Sequence, residues 1–386
     1  MIFERQFFID DLSEGQKFID EVRGDPHFSS AKALLIKGYS AKFSSRTSLF
    51  LHEKIRKSLP ESQFFGLALN NRKDEFAEHL GIVNVLFFDH SKVTVLEADC
   101  TGRSYEEVAV ELGRQVDLIP DVKAVELVSS AVEHGFNKFM EKISEGREEI
   151  CFFGAEAGFT NLETNALAGS FDTIFNKELK ESRERYVCGN NAIYKNGIVM
   201  LVYSGKKLSV YADAFLGWQA VGKELTITKM ASPNCVETID DMPAADIYKH
   251  YLNVQSDENM LRNICEFPLI TRRNGFETAR IPPMCDEKKR LYFLADVHEG
   301  ERYQLSYAIV NDMLKLAEIH SSRMKSFAPE TISLYVCANR SLFLKEVEAQ
   351  EIGYYKVISP ACVNVMGGSE PYRSHNTGGV LNSMLV

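Results

Sequence analysis

Residues Ile82–Phe88 (IVNVLFF) and Val93–Ala98 (VTVLEA) are two β-branched and aromatic runs separated only by Asp89-His-Ser-Lys92. Apolar runs of this length around a short polar turn read as two strands that are neighbours in one sheet. Soon after them, Ser104-Tyr-Glu-Glu107 has the capping-box pattern: the Ser side chain accepts from the Glu amide, and the Glu side chain accepts from the Ser amide. It opens a helix through about Gln115. Parallel neighbours need a crossover of a dozen or more residues, so this directly linked strand pair excludes a purely parallel sheet. The predicted fold class is α/β (α+β), with mixed, largely antiparallel sheets flanked by helices.

Working outward, Ala33–Gly38 reads as a buried strand, 45–59 as an amphipathic helix with Leu49, Ile55 and Leu59 toward the core, and Phe64–Leu69 as a strand. Downstream, strand Val122–Val128, helix Ala131–Ile143 and strand Glu149–Phe153 complete a first lobe, residues 1–158. Residues 159–185 read as a polar insertion, expected outside both cores because its Asn, Glu, Lys and Arg near 176–185 bury little apolar area. A second lobe is expected over 186–386. It begins with hairpin-like strands over Ala192–Ala214. Pro243 sits at the start of helix Ala244–Leu252, where its missing N–H costs nothing. Strands at Phe267–Arg272, Thr278–Ile281, Arg290–Ala295 and Arg302–Ala308 precede a long helix, Val310–Lys325. Strand Ile332–Val336, a short helix near Leu342–Gln350 and two last strands follow.

The 386 residues are 45% hydrophobic and 25% charged, enough for two packed cores. The formal net charge of -10 shows no basic excess, and Lys and Arg occur singly or in short clusters, so a nucleic-acid partner is not expected. The acidic start MIFERQFFIDDLSEGQ does not resemble an export signal, and no apolar run approaches the 18 or more residues of a membrane span. A cytoplasmic location without membrane insertion is the expectation. The eight cysteines include no CxxC spacing, and the closest two, Cys265 and Cys285, are about twenty residues apart. Reduced thiols packed as small hydrophobes are expected.

Motifs for common chemistries are absent. The nine histidines form no HExxH, and GxSxG, Walker A and GxGxxG do not occur. Ser322-Arg-Met-Lys325 and Ser204-Gly-Lys-Lys207 match SxxK, but their companion motifs are missing. No metal site is expected. One nucleophile pair can be drawn: Cys337, at the end of an apolar strand, with His375 in the glycine-rich loop SHNTGG. Such a pair would serve a hydrolase or transferase; otherwise the thiol is part of the core.

A series of local patterns runs in order along the chain. Phe152-Phe-Gly-Ala-Glu-Ala-Gly158 comes first, then Gly217-Trp218-Gln-Ala-Val-Gly222 with Thr226-Ile-Thr228. Asp240-Asp-Met-Pro-Ala244 follows, with Tyr248 and Tyr251-Leu252, and then Phe267-Pro-Leu269, Arg280 and Glu299-Gly300. Cys337-Ala-Asn-Arg340 and His375-Asn-Thr377 close the set. Together they resemble the FIST sensory family, with an N-terminal and a C-terminal half. The chain departs from the family pattern at Gly66-Leu-Ala-Leu-Asn-Asn71, at Phe159, and at Gly367-Gly-Ser-Glu370.

The resemblance implies a small-ligand input module of a bacterial-type signalling system, upstream of a histidine kinase, a diguanylate cyclase or a chemotaxis receptor. Amino acids are proposed ligands of the family, and one branch is similar to haem-dependent nitric-oxide sensors. Haem is not expected here, because the loop holding His375 gives poor support to an axial ligand. No kinase, cyclase or receptor segment lies in the sequence, so the output is expected from a separate protein or from sequence beyond Val386. Among the matched residues, Arg280 and Arg340 are forked donors able to clamp a carboxylate. Trp218 offers an apolar wall, and His375, Asn376 and Cys337 add short-range contacts. Structural roles stand beside these: Trp218 as a core anchor, Arg280 as a strand-pairing residue, Arg340 as a cap on its loop.

Overall fold

The computed structural model describes residues 1–40, 45–68, 79–130, 136–156, 186–232, 234–254, 263–264, 266–273, 276–282, 284–293, 295–367, 370–373 and 381–383. Two six-stranded sheets face each other. The first runs, in spatial order, Ile2–Ile9, Gly81–Phe88, Ala33–Ser40, Gln63–Ala68, Val187–Cys188 and Ile193–Tyr194. The second runs Leu381–Ser383, Glu370–Arg373, Cys151–Glu156, Val122–Ser129, Gly197–Ser204 and Lys92–Asp99. Most neighbours are antiparallel, but Ala33–Ser40 with Gln63–Ala68 and Val122–Ser129 with Cys151–Glu156 are parallel. The mixed sheets predicted from the sequence are therefore observed, but Gly81–Phe88 and Lys92–Asp99, read as neighbours in one sheet, lie in different sheets, because the short turn at 89–91 passes the chain from one facing sheet to the other.

The strand pleat explains the layering. In Ala33–Ser40, Leu35 and Tyr39 face the second sheet, whereas Leu34 and Ile36 face helices Gly15–Gly24 and Ser45–Ser58. In the second sheet, Val93, Val128, Val199 and Leu201 face inward, while Leu96, Val125, Leu127 and Met200 pack on helices Tyr105–Asp117 and Phe136–Ser144. The order is helix layer, sheet, sheet, helix layer. The parallel pair Leu334–Cys337 and Asn364–Gly367 enters this core through Tyr335, Val363 and Val365.

A third, eight-stranded sheet carries the rest: Phe276–Arg280, Leu269–Arg273, Arg302–Tyr307, Gln219–Ser232, Cys235–Ile239, Leu291–Tyr292 and Met284–Cys285, with Met242–Pro243 paired to Cys235–Ile239. Helix Asp246–Leu252 buries Ile247 and Tyr248 against it. Helices Val310–Phe327, Ala338–Leu344 and Glu348–Lys356 surround the parallel pair.

Several sequence readings are matched and several are displaced. The capping box forms with both bonds, Glu107 N–H to Ser104 Oγ at 3.2 Å and Ser104 N–H to Glu107 Oε2 at 3.0 Å. Ile55 and Leu59 are buried as expected; the side chain of Leu49 lies outside the described residues. The strand Ile2–Ile9 and helix Gly15–Gly24 had no element assigned, because Glu4, Arg5 and Gln6 interrupt the strand's alternation. Residues 186–204 were read with the second lobe, but Gly197–Ser204 pairs with Lys92–Asp99 on one side and Val122–Ser129 on the other. Pairing ties it to strands that precede residue 157, and a hairpin-like local pattern carries no information about such distant partners. Pro243 lies in a two-residue strand rather than in the helix, which starts at Asp246. The insertion 159–185 lies outside the described residues.

Candidate functional site

Strand Leu334–Cys337 lies parallel to Asn364–Gly367, with Cys337 opposite Gly367. Both carboxyl ends therefore open at one place, and helix Ala338–Leu344 begins immediately after Cys337. Ligands of α/β sheets collect at the carboxyl ends of parallel strands, where the backbone diverges and loops supply polar groups. Cys337 is half-buried there, and Asn339 is almost fully buried in the first turn of the helix. His375 and Asn376 follow Gly367 in the chain but lie outside the described residues, so their relation to Cys337 is not part of this geometry.

Arg340 is the largest fully buried side chain among the described residues. Its Nε donates to Glu351 Oε1 and Oε2 at 3.1 Å, its Nη2 to Oε1 at 2.5 Å, and its Nη1 to the Leu216 carbonyl at 2.6 Å. Glu351, on helix Glu348–Lys356, is equally buried. The guanidinium carbon lies 5.0 Å from the Phe215 ring and 5.9 Å from the Trp218 ring. Arg340 thus ties helix Ala338–Leu344 to its neighbouring helix and to residues 215–218. A planar fork suits this task because it holds a carboxylate with two parallel bonds and stacks on rings at the same time. Gly217, at φ 86°, allows the close passage: a Cβ there would meet Met313 Cγ at 3.1 Å and Arg340 Nη1 at 3.4 Å.

Trp218 is buried beside Phe343, with ring centroids 5.5 Å apart, and its indole N–H reaches the Glu266 carbonyl at 3.4 Å. Trp218 and Cys337 belong to one apolar cluster with Ile270, Met313 and Leu344. Ala279 and Ile281 pack on that cluster, but the Arg280 head between them turns elsewhere. It donates to Asp296 O and Oδ1 at 2.8 Å each, to Thr278 Oγ1 at 2.8 Å and to the Ala279 carbonyl at 2.9 Å. Arg273 bonds Asp296 and Glu301 in the same network. Burial pushes the Asp296 carboxyl up, but Arg280 and Arg273 outweigh it and hold it below the ordinary carboxylate range. Trp218, Cys337 and Arg340 are therefore gathered near one strand end, and Arg280 flanks it. Both arginines direct donors to partners inside the protein, which gives them the work of shaping the site.

A second buried polar cluster escaped the sequence reading. Lys37 Nζ donates to both carboxylate oxygens of Glu126, at 2.9 and 2.7 Å, between the two facing sheets. The hydroxyls of Tyr203 and Tyr335 each donate to Glu126 at 2.6 Å. Burial pushes the Glu126 carboxyl up, yet Lys37 and the two phenols leave it below its ordinary value. Tyr335 precedes Cys337 by two residues, so this cluster anchors the strand that ends at the candidate site. A signal was present: Lys37 is the charged interruption of an otherwise uncharged strand and Glu126 that of the apolar run Ala124–Val128, each in step with inward-facing neighbours two residues away.

Gly154 lies in the strand beside Glu126. Its φ is 153°, and a Cβ would fall 1.7 Å from the Leu127 carbonyl oxygen, so only glycine allows this approach of two parallel strands. This accounts physically for the glycine in Phe152-Phe-Gly-Ala-Glu156. Two family models match consecutive stretches: the FIST N domain over residues 43–242 and the FIST C domain over 244–369. The chain belongs to the FIST family. FIST domains are small-ligand sensory domains of signal-transduction proteins. The FIST N match runs through strand Gly197–Ser204 and the long strand Gln219–Ser232; the FIST C match holds Cys337, Arg340 and Gly367. No curated protein matches the chain. No helix among the described residues is long and apolar enough to cross a membrane, and no group of His, Cys, Asp and Glu among them could hold a metal ion.

Proposed function

We propose that this FIST chain is the input module of a signalling system and that its ligand, a small polar metabolite with an amino acid the leading class, contacts the carboxyl ends of strands Leu334–Cys337 and Asn364–Gly367. The observation that carries the reading is the convergence of these two ends, at Cys337 and Gly367, the first directly before the family stretch Ala338-Asn-Arg340 and the second eight residues before His375-Asn376. Buried Arg340 and Trp218 set the position of the strand–helix junction, and the nearby backbone and amide groups supply the polar contacts. The module passes its state to a kinase, cyclase or chemotaxis receptor.

Native mass spectrometry after purification and incubation with a mixture of amino acids and small organic acids tests this. One small-molecule adduct is expected, lost in a Cys337→Trp variant whose circular dichroism is unchanged. No adduct with any member of the mixture contradicts the reading. A second reading, a hydrolase or transferase using Cys337, rests on the half-buried thiol at a strand end. It requires turnover of a thioester or ester substrate that Cys337→Ala abolishes.

A further inference from the structure

Residues 205–218 carry no helix or strand and join Gly197–Ser204, in the second sheet, to Gln219–Ser232, in the third. This strap is laid along helix Val310–Phe327 by a run of side chains. The Tyr211 and Phe327 rings are 5.7 Å apart, and the Tyr211 hydroxyl meets Asp213 Oδ2 at 3.2 Å. Asp213 Oδ2 in turn lies 2.5 Å from His320 Nδ1 on the helix, and the His320 ring stacks on Phe215 at 4.3 Å with 21° between planes. The Arg340 guanidinium carbon lies 5.0 Å from the Phe215 ring, and its Nη1 also holds the Leu216 carbonyl. His320 is only 12% exposed and Asp213 24%, so water weakens their attraction less than it would at an open surface.

We propose that Asp213 and His320 form a proton-operated clasp, which holds the strap firmly to helix Val310–Phe327 when His320 is protonated and weakly when it is neutral. A neutral imidazole still donates from Nδ1, but the charge-assisted bond is roughly twice as strong as the neutral one. Asp213 is suited to its part: burial pushes its carboxyl up, but the bond and charge of His320 and the bonds from the Tyr211 hydroxyl and the Ala214 amide together more than reverse this, so it stays ionised. The groups around the pair act in both directions. On the strap, Asp213 favours the imidazolium and Tyr211 is a neutral phenol. On the helix, Arg323 faces Tyr211 and opposes the added charge. From helix Ala338–Leu344 comes Arg340, opposing it, and from helix Glu348–Lys356 come Glu351, favouring it, and the neutral Tyr355. Arg340 and Glu351 cancel as a pair, which leaves Asp213 as the nearest uncompensated charge.

Trp218, the only tryptophan, lies three residues beyond Phe215 and reports on the strap. Its emission is followed from about pH 5 to pH 8, the span in which an imidazole changes charge, beside the His320 Cε1–H shift by NMR. Tryptic nicking at Lys206 and Lys207 is measured over the same range, normalised to a peptide substrate. The expected result is one emission step at the His320 midpoint, with faster nicking above it. In His320→Gln, which keeps an N–H donor but cannot gain charge, the step is gone and nicking stays at the faster, high-pH rate. An emission step that misses the His320 midpoint, or the absence of any step in the parent protein, overturns the clasp. If His320→Gln does not fold, the coincidence of midpoints in the parent decides alone.

Discussion

Lys37 and Glu126, 89 positions apart in sequence, meet 2.7 Å apart in the space between two sheets, and both are almost completely buried. Glu126 gathers a strand from each sheet and, through Tyr335, the strand that ends at the candidate ligand site.

Breaking this pair leaves an uncompensated charge in the core. Glu126→Gln or Lys37→Met alone is expected to lose about 3–5 kcal/mol, because the surviving partner keeps its desolvation cost. The double variant is expected to lose clearly less than the sum, since it leaves neither charge buried without its partner. Urea unfolding of the four proteins measures this; additive losses would show that the pair is not coupled.

Glu4 responds to pH in the opposite sense from Glu126. Burial pushes its carboxyl above the ordinary range, more than its bonds from Thr331 and Asn84 lower it. A raised carboxylate favours the folded state most when protonated, so its contribution is full below the unfolded value of about 4.3 and is lost as pH rises through the raised folded value. Glu4→Gln removes that loss. Its melting temperature should gain on the parent between about pH 4 and pH 7, and an offset that stays constant across that range would refute the assignment. Glu126, held low, contributes stability that disappears only in acid, as pH falls through its folded value.

Gly154→Ala is expected to cost about 4 kcal/mol or more. The added methyl would overlap the Leu127 carbonyl at a backbone angle that L-residues avoid. Calorimetry of the soluble fraction measures it, and a variant as stable as the parent would show that the two strands can separate freely.

The purified protein is expected to be colourless. Haem needs a histidine that is free on a firm element beside an apolar slot. Among the described histidines, His52 is engaged with the Asn190 carbonyl and His320 with Asp213. A Soret band that survives desalting and vanishes in one His→Ala variant would contradict this.

The layers were legible because inward and outward residues alternate with period two in strands such as Ala33–Ser40, and because Ser104 and Glu107 announce a helix through local chemistry. Family membership was legible from ordered short motifs. What stayed hidden depends on distant pairing. Nothing near Gly197–Ser204 says that it inserts between Lys92–Asp99 and Val122–Ser129. Likewise, Arg340 reads from sequence as a clamp for a ligand carboxylate or a cap on its own loop, and only the fold brings Glu351 and the Leu216 carbonyl to it. Composition cannot tell a clamp for a ligand from a clamp for the protein's own carboxylate.

A thermal-shift screen of amino acids and small carboxylates reads ligand binding at the ends of strands Leu334–Cys337 and Asn364–Gly367. A ligand at 100 times its dissociation constant adds about 2.7 kcal/mol to a folded state that alone binds it, a rise of about 3 °C for a chain of this size. Such a rise is expected with at least one compound, and its loss in Cys337→Trp while the unliganded melting temperature is kept. No shift with any compound, or an equal shift in Cys337→Trp, would contradict it.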